Sequence, residues 1–93
     1  LRIKDFIWHD DTVTHIQKEH GVEPEEVEEV FTQRYLLIKA KYGRYNAMGY
    51  TINGRLLSVV FEYKGKGNIE IVTARDMSKK ERKYFKKRWG GEV

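Results

Sequence analysis

The spacing of apolar positions changes along the chain, and each change predicts an element. Ile3, Phe6, Ile7 and Trp8 cluster between Arg2 and Trp8, predicting a short strand closed by polar His9, Asp10 and Asp11. Asp10 or Asp11 can accept the free amide hydrogens of a following helix. Val13, Ile16 and His20 then recur at spacings of three and four, which predicts an amphipathic helix over Thr12 to His20, ended by Gly21 in a left-handed conformation. In Val22-Glu23-Pro24-Glu25-Glu26-Val27, proline stands at a first helical position with acids in the first turn, where the helix dipole favours negative charge. With Glu23 as cap, Val22 and Val27 have the spacing of a hydrophobic staple. Val27, Val30 and Phe31 form the apolar stripe of this second helix, which should end near Thr32 to Arg34.

From Leu36 the period becomes two. Leu36, Ile38, Ala40 and Tyr42 alternate with Leu37, Lys39 and Lys41, the pattern of a strand with one buried face. A second strand, Tyr45 to Ile52, leads into the hairpin signal Asn53-Gly54, and a third follows over Arg55 to Tyr63. That third strand is apolar on both faces, with Leu57, Val59, Phe61 and Tyr63 on one and Leu56 and Val60 on the other, and so belongs in the middle of a sheet. Lys64-Gly65-Lys66-Gly67 turns the chain into a last strand ending at Arg75. Ser78-x-x-Glu81 has the spacing of a capping box; Tyr84, Phe85 and Trp89 can dock the helix it starts, and Gly90-Gly91 should stop it. The order is β-α-α-β-β-β-β-α, an α+β domain whose four-strand antiparallel meander packs against helices on one face.

Length and composition narrow the possibilities. Ninety-three residues support one domain, 1–93, with one modest core. Without cysteine there is neither a disulfide framework nor a thiolate metal site, and three scattered histidines make no zinc pattern, so no metal or other cofactor is expected. No apolar run approaches the ~20 residues of a spanning helix and no charged-then-apolar leader opens the chain, so a soluble, cytoplasmic protein without membrane contact is expected. The net charge of +4 conceals a division: residues 1–38 carry −5 and residues 39–93 carry +9. A basic half suits an anionic partner such as nucleic acid or an acidic protein segment.

No phosphate loop, dinucleotide fingerprint, nucleophile elbow or HExxH motif is present. What remains is a scatter of Arg, Lys, His and Tyr. Cleavage of RNA through its own 2′-hydroxyl needs little more: a base, a cation at phosphorus and a proton for the leaving oxygen. Each candidate also has a plain reading. His15 and His20 are either acid-base groups or helix-surface and helix-end residues, and Lys18 reads first as solvent-exposed. Arg44, between Tyr42 and Tyr45, combines phosphate binding with base stacking, or the tyrosines simply pack across strands. Arg55 is most simply a turn-flanking charge. Arg75 either pairs with Asp76 or projects into a site at the sheet end. The last helix, with Lys79, Arg82 and Lys83, is either a solvated face or a nucleic-acid surface.

In order and separation, His20-Gly21-Val22, Glu25-Glu26-Val27 to Phe31, Arg44-Tyr45 followed by Gly49, Gly54-Arg55, Thr73-Ala74-Arg75 and Glu81-Arg82 to Tyr84 resemble the BrnT toxin family over roughly Ile7 to Tyr84. The resemblance implies a RelE-like fold and a metal-independent endoribonuclease toxin of a type II toxin-antitoxin pair. Its partners would be an RNA substrate and a ribbon-helix-helix antitoxin, through which alone it would reach operator DNA. By position it places a basic helix residue near Lys18 and two arginines at Arg44 and Arg75. The expected mechanism leaves proton transfer to His20 or Tyr42, and the basic residues Arg55, Lys79, Arg82 and Lys83 are expected to contact RNA. The sequence departs from many members at two points: Glu19 stands between Lys18 and His20-Gly21, and Tyr42 stands where a glutamate is usual. The alternative is a non-catalytic interaction module of the same fold that binds an antitoxin or nucleic acid.

Overall fold

The computed structural model describes residues 2–89, in which β1 (Asp5–Ile7), α1 (Asp10–His20), α2 (Pro24–Val30), β2 (Tyr35–Lys39), β3 (Arg44–Tyr50), β4 (Leu56–Gly65), β5 (Asn68–Asp76) and α3 (Lys79–Arg88) follow in sequence. Strands β2 to β5 form the expected antiparallel meander. β1 extends the same sheet by pairing in parallel with β5, giving the order β1-β5-β4-β3-β2. β4 is central, as its two-sided apolarity requires.

Capping sets the helix ends. Gly21 (φ 61°) closes α1, its amide bonded to Gln17 and that of Val22 to Ile16, a pairing that a left-handed residue makes possible. The start of α1 differs from expectation: His9 is the cap residue, without a side-chain bond, and Asp10 and Asp11 lie inside the first turn. Glu23 and Glu26 make a reciprocal box at the head of α2, and Ser78 and Glu81 make another at the head of α3. The expected stop at Gly90-Gly91 lies outside the described residues.

The helices divide between the two faces of the sheet, a correction to their expected packing on one. Leu57, Val59 and Phe61 of β4 face the α1–α2 layer, where Ile16, Val22, Val27 and Val30 are fully buried with them. α3 lies on the opposite face, its buried Phe85 packed with Met48 and Met77 and set edge-on to Tyr50 at 5.4 Å. The reason is legible in β4: Leu56, Ser58 and Val60 alternate with the first set, so their face also needs cover.

The turns supply the remaining differences. Asn53-Gly54 lies in a three-residue loop closed by Thr51 and Arg55, with only Gly54 at positive φ. β2 stops at Lys39, and Lys41–Gly43 forms a 3-10 turn closed by the Ala40 amide on the Arg44 carbonyl at 2.8 Å. Tyr42 is therefore not on a buried strand face. It stands in that turn at φ 62°, ψ 33°, 86% exposed, in a conformation that costs an L-residue about 1–2 kcal/mol.

Candidate functional site

The face that carries α3 is only partly covered by it, and strand register places the polar residues of the remainder. Arg75 lies beside Ser58 and Ser58 beside Met48; the next row runs Asn46, Val60, Thr73, and the next Arg44, Glu62, Glu70. Arg44 and Arg75 thus share one face, with their backbones roughly 13 Å apart along the strands and about 10 Å across them.

At the hairpin end of this face, charges form a ladder across the sheet. Arg44 donates from Nε to Glu62 at 3.0 Å. Lys64 bridges Glu62 at 2.9 Å and Glu70 at 3.3 Å, and Glu70 bonds to His9. Hydrogen bonds from Lys64 and then Arg44 hold the Glu62 carboxyl below its ordinary range, and His9 and then Lys64 do the same for Glu70. The two carboxylates in turn raise the Lys64 ammonium. Arg44 uses Nε alone, so among the described residues its two terminal nitrogens have no partner. A depression of about 180 Å³ lined by Lys39, Ala40, Gly43, Arg44 and Tyr45 opens beside it.

Beneath α3 the second arginine is differently held. Arg75 grips Glu81 with both terminal nitrogens, at 2.6 and 3.0 Å, and also donates to the Asp76 carbonyl at 3.2 Å. Glu81 is at the same time the capping-box acid of α3 and an acceptor for Ser58 at 3.3 Å. Burial pushes the Glu81 carboxyl up, but the bonds from Arg75, Ser78 and Ser58 prevail and hold it down. A shallow depression of about 390 Å³ between α3 and the β2–β3 edge, lined by Ile38, Asn46, Met48, Lys80, Glu81 and Tyr84, adjoins this pair.

Arg55 has another occupation. Its guanidinium donates to Asp76 through Nε (2.7 Å) and Nη2 (3.0 Å), to Glu26 (3.0 Å) and the Gly21 carbonyl (2.9 Å) through Nη1, and to the His20 carbonyl through Nη2 (3.2 Å). All five donors of the side chain are engaged. The side chain expected to flank a turn and meet RNA instead ties the end of β5 to the end of α1 and to α2. Arg55 holds Asp76 below its usual range.

The structure does not bring Lys18 and His20 onto the face of the two arginines. α1 packs on the other layer, where Lys18 is exposed and His20 meets His15 edge-on at 5.1 Å. Lys79, Arg82, Lys83 and Lys86 line one side of α3 around a depression of about 350 Å³, with Arg82 also donating to the Met77 carbonyl. Sequence reasoning missed Glu62, Lys64, Glu70 and His9. Alternation along β4 was the available signal for the first two, because it sets Glu62 on the face opposite Phe61. No group of three or more His, Cys, Asp or Glu side chains able to hold a metal ion occurs among the described residues, and no described helix is long and apolar enough to cross a membrane.

This arrangement offers cations for phosphate, an ionised carboxylate and an imidazole on one solvent-open surface. The sequence model of the family described as "Ribonuclease toxin, BrnT, of type II toxin-antitoxin system" matches residues 8–81. The fold is similar to the crystal structure of the Brucella abortus ribonuclease toxin BrnT, with a TM-score of 0.68 at 18% identity, over 81% of this chain and 97% of that one. No curated protein sequence matches the chain.

Proposed function

Since the chain belongs to the BrnT family of ribonuclease toxins from type II toxin-antitoxin systems, we propose that it cleaves RNA on the half of the sheet face that α3 leaves open. The observation that carries this is Arg44, anchored through Nε by Glu62 with both terminal nitrogens unengaged among the described residues. A guanidinium so fixed presents a phosphate-binding fork without reorganising.

In this reading Glu62, kept ionised by Lys64 and Arg44, takes the proton of a ribose 2′-hydroxyl. The oxygen attacks the adjacent phosphorus, Arg44 and Lys64 meet the charge gathering on the phosphoryl oxygens, and His9 gives a proton to the departing 5′-oxygen. The products are a 2′,3′-cyclic phosphate and a 5′-hydroxyl, so atoms and charge balance without a metal. Glu62 fills from the neighbouring strand the role left open by Tyr42, and His9 replaces His20 because it lies on the ladder. Arg75 holds a neighbouring phosphate, in competition with Glu81. The basic side of α3, with Lys79, Arg82 and Lys83, extends the RNA path. The partner that restrains the chain is a ribbon-helix-helix antitoxin, through which any operator contact is made.

Induced expression in a bacterial host should arrest growth, and Arg44→Ala should relieve the arrest. In excess chelator the purified chain should leave cyclic phosphate ends, with Arg44→Ala slower by about 10²-fold or more. Undiminished cleavage by that variant removes Arg44 from the mechanism; growth arrest without any cleavage would favour the non-catalytic interaction module.

A further inference from the structure

Tyr42 is the residue of this fold that folding explains least. Its side chain is 86% exposed and enters no hydrogen bond or aromatic contact among those of the described residues. Its backbone is left-handed at φ 62°, where glycine or asparagine would sit more easily. An unfavourable conformation carrying a side chain that stabilises nothing within the molecule points to a role outside it.

The other exposed or flanking aromatics are accounted for. The Tyr63 hydroxyl accepts the Gly67 amide at 2.9 Å, Tyr84 lies under the Arg88 guanidinium at 5.6 Å, and Tyr45 stacks on Phe61 with centroids 5.6 Å apart. Cross-strand packing therefore explains Tyr45 and leaves Tyr42 unexplained.

The surroundings of the ring select its partner. Exposed Lys39 and Lys41 stand on either side of Ala40 just before it, and Arg44, with its unengaged terminal nitrogens, follows two residues later. No acidic residue lies between Lys39 and Arg44. An aromatic ring on a short closed turn among cations fits a nucleobase with its attached phosphates, the ring taking the base face and the cations the backbone. The base must be unpaired, since a ring projecting from a hairpin tip reaches a base face only where the strand is not already stacked in a duplex.

We infer that Tyr42 is a stacking platform for one unpaired base of an RNA strand, setting the register of that strand against Arg44. This rests on the RNA reading above and assigns the ring to binding rather than to proton transfer. By reaching a base beside the bound phosphate, Tyr42 would position the substrate one nucleotide from the site of attack.

The test is equilibrium binding of a 2′-O-methylated single strand, which cannot be cleaved, carrying one 2-aminopurine as reporter. Wild-type chain should bind it more tightly than the matched duplex and quench the reporter. Tyr42→Ala should weaken binding about tenfold and abolish the quenching, whereas Tyr42→Phe, which lacks the hydroxyl, should keep both. Tyr42→Gly, which suits the turn, should fold at least as stably as wild type and still lose binding as Ala does. Equal binding by wild type and Tyr42→Ala overturns the stacking role and leaves the RNA reading intact. No binding by wild type overturns the RNA reading itself. Unchanged RNA binding with weakened antitoxin capture by Tyr42→Ala assigns the ring to a protein contact and likewise overturns the inference.

Discussion

Arg55 and Arg44 stand at opposite ends of the same sheet, one residue type put to contrary uses. Arg55 spends every donor on two carboxylates and two helix-end carbonyls, and so joins β5, α1 and α2 at one point. Arg44 uses one side-chain donor, and its terminal nitrogens have no partner among the described residues. The difference lies in what surrounds each. Around Arg55 the C-terminus of α1 presents the His20 and Gly21 carbonyls beside Asp76 and Glu26, and one guanidinium satisfies all of them. Around Arg44 there are only strand neighbours and an open turn. Charge alone therefore does not separate Arg55, whose donors are all committed within the molecule, from Arg44, most of whose donors are not.

The contrast can be broken by stability measurements. The largest effect is expected for Arg55→Ala, which strands two carboxylates and two carbonyls. Urea unfolding should report a loss of about 3 kcal/mol, and the melting temperature should fall by roughly 15 °C. A smaller effect is expected for Asp76→Asn, with a definite pH dependence. Arg55 lowers the Asp76 pKa in the folded state, so the unfolded chain binds the proton more readily. The stabilisation is complete above the unfolded value of about 3.9 and fades as pH falls through the lower, folded one. Wild type should thus exceed Asp76→Asn in stability at pH 7 and converge with it in strong acid; a constant gap would mean that the carboxylate charge is not what Arg55 holds. The smallest effect belongs to Arg44→Ala, whose single pair with Glu62 is screened by solvent, so that urea unfolding should be almost unchanged. Similar losses for Arg44→Ala and Arg55→Ala would erase the distinction between them.

Local signals in the sequence carried the fold a long way. Gly21, Glu23-Pro24 and Ser78-x-x-Glu81 each marked a helix boundary through backbone chemistry confined to a few residues, and β4 declared its central place by being apolar on both sides. The same two-sidedness could have placed α3 on the opposite face. Tyr42 was misplaced because Ala40 and Tyr42 prolong the alternation of β2, and the turn holds neither proline nor asparagine to interrupt it. The site was harder to read for a different reason. Arg44 and Arg75 could be named from the resemblance, but their settings depend on distant residues: His9 meets Glu70 across 61 positions, and Arg55 reaches His20 across 35. No periodicity reports such pairings. The carboxylate beside Arg44 arrives from another strand and not from its own.

The parallel pairing of β1 with β5 has a consequence in time. Asp5 meets Asn68 and the Lys4 amide bonds to Gly67, so the sheet is completed by joining residues more than sixty positions apart. On a growing chain the hairpins between β2 and β5 can assemble as they emerge, whereas the first strand must wait for the last one of the sheet. The long closure makes β1 docking a late event in folding. His9, just beyond β1, joins Glu70 only then, and a nascent fragment ending before β5 lacks that half of the charge ladder.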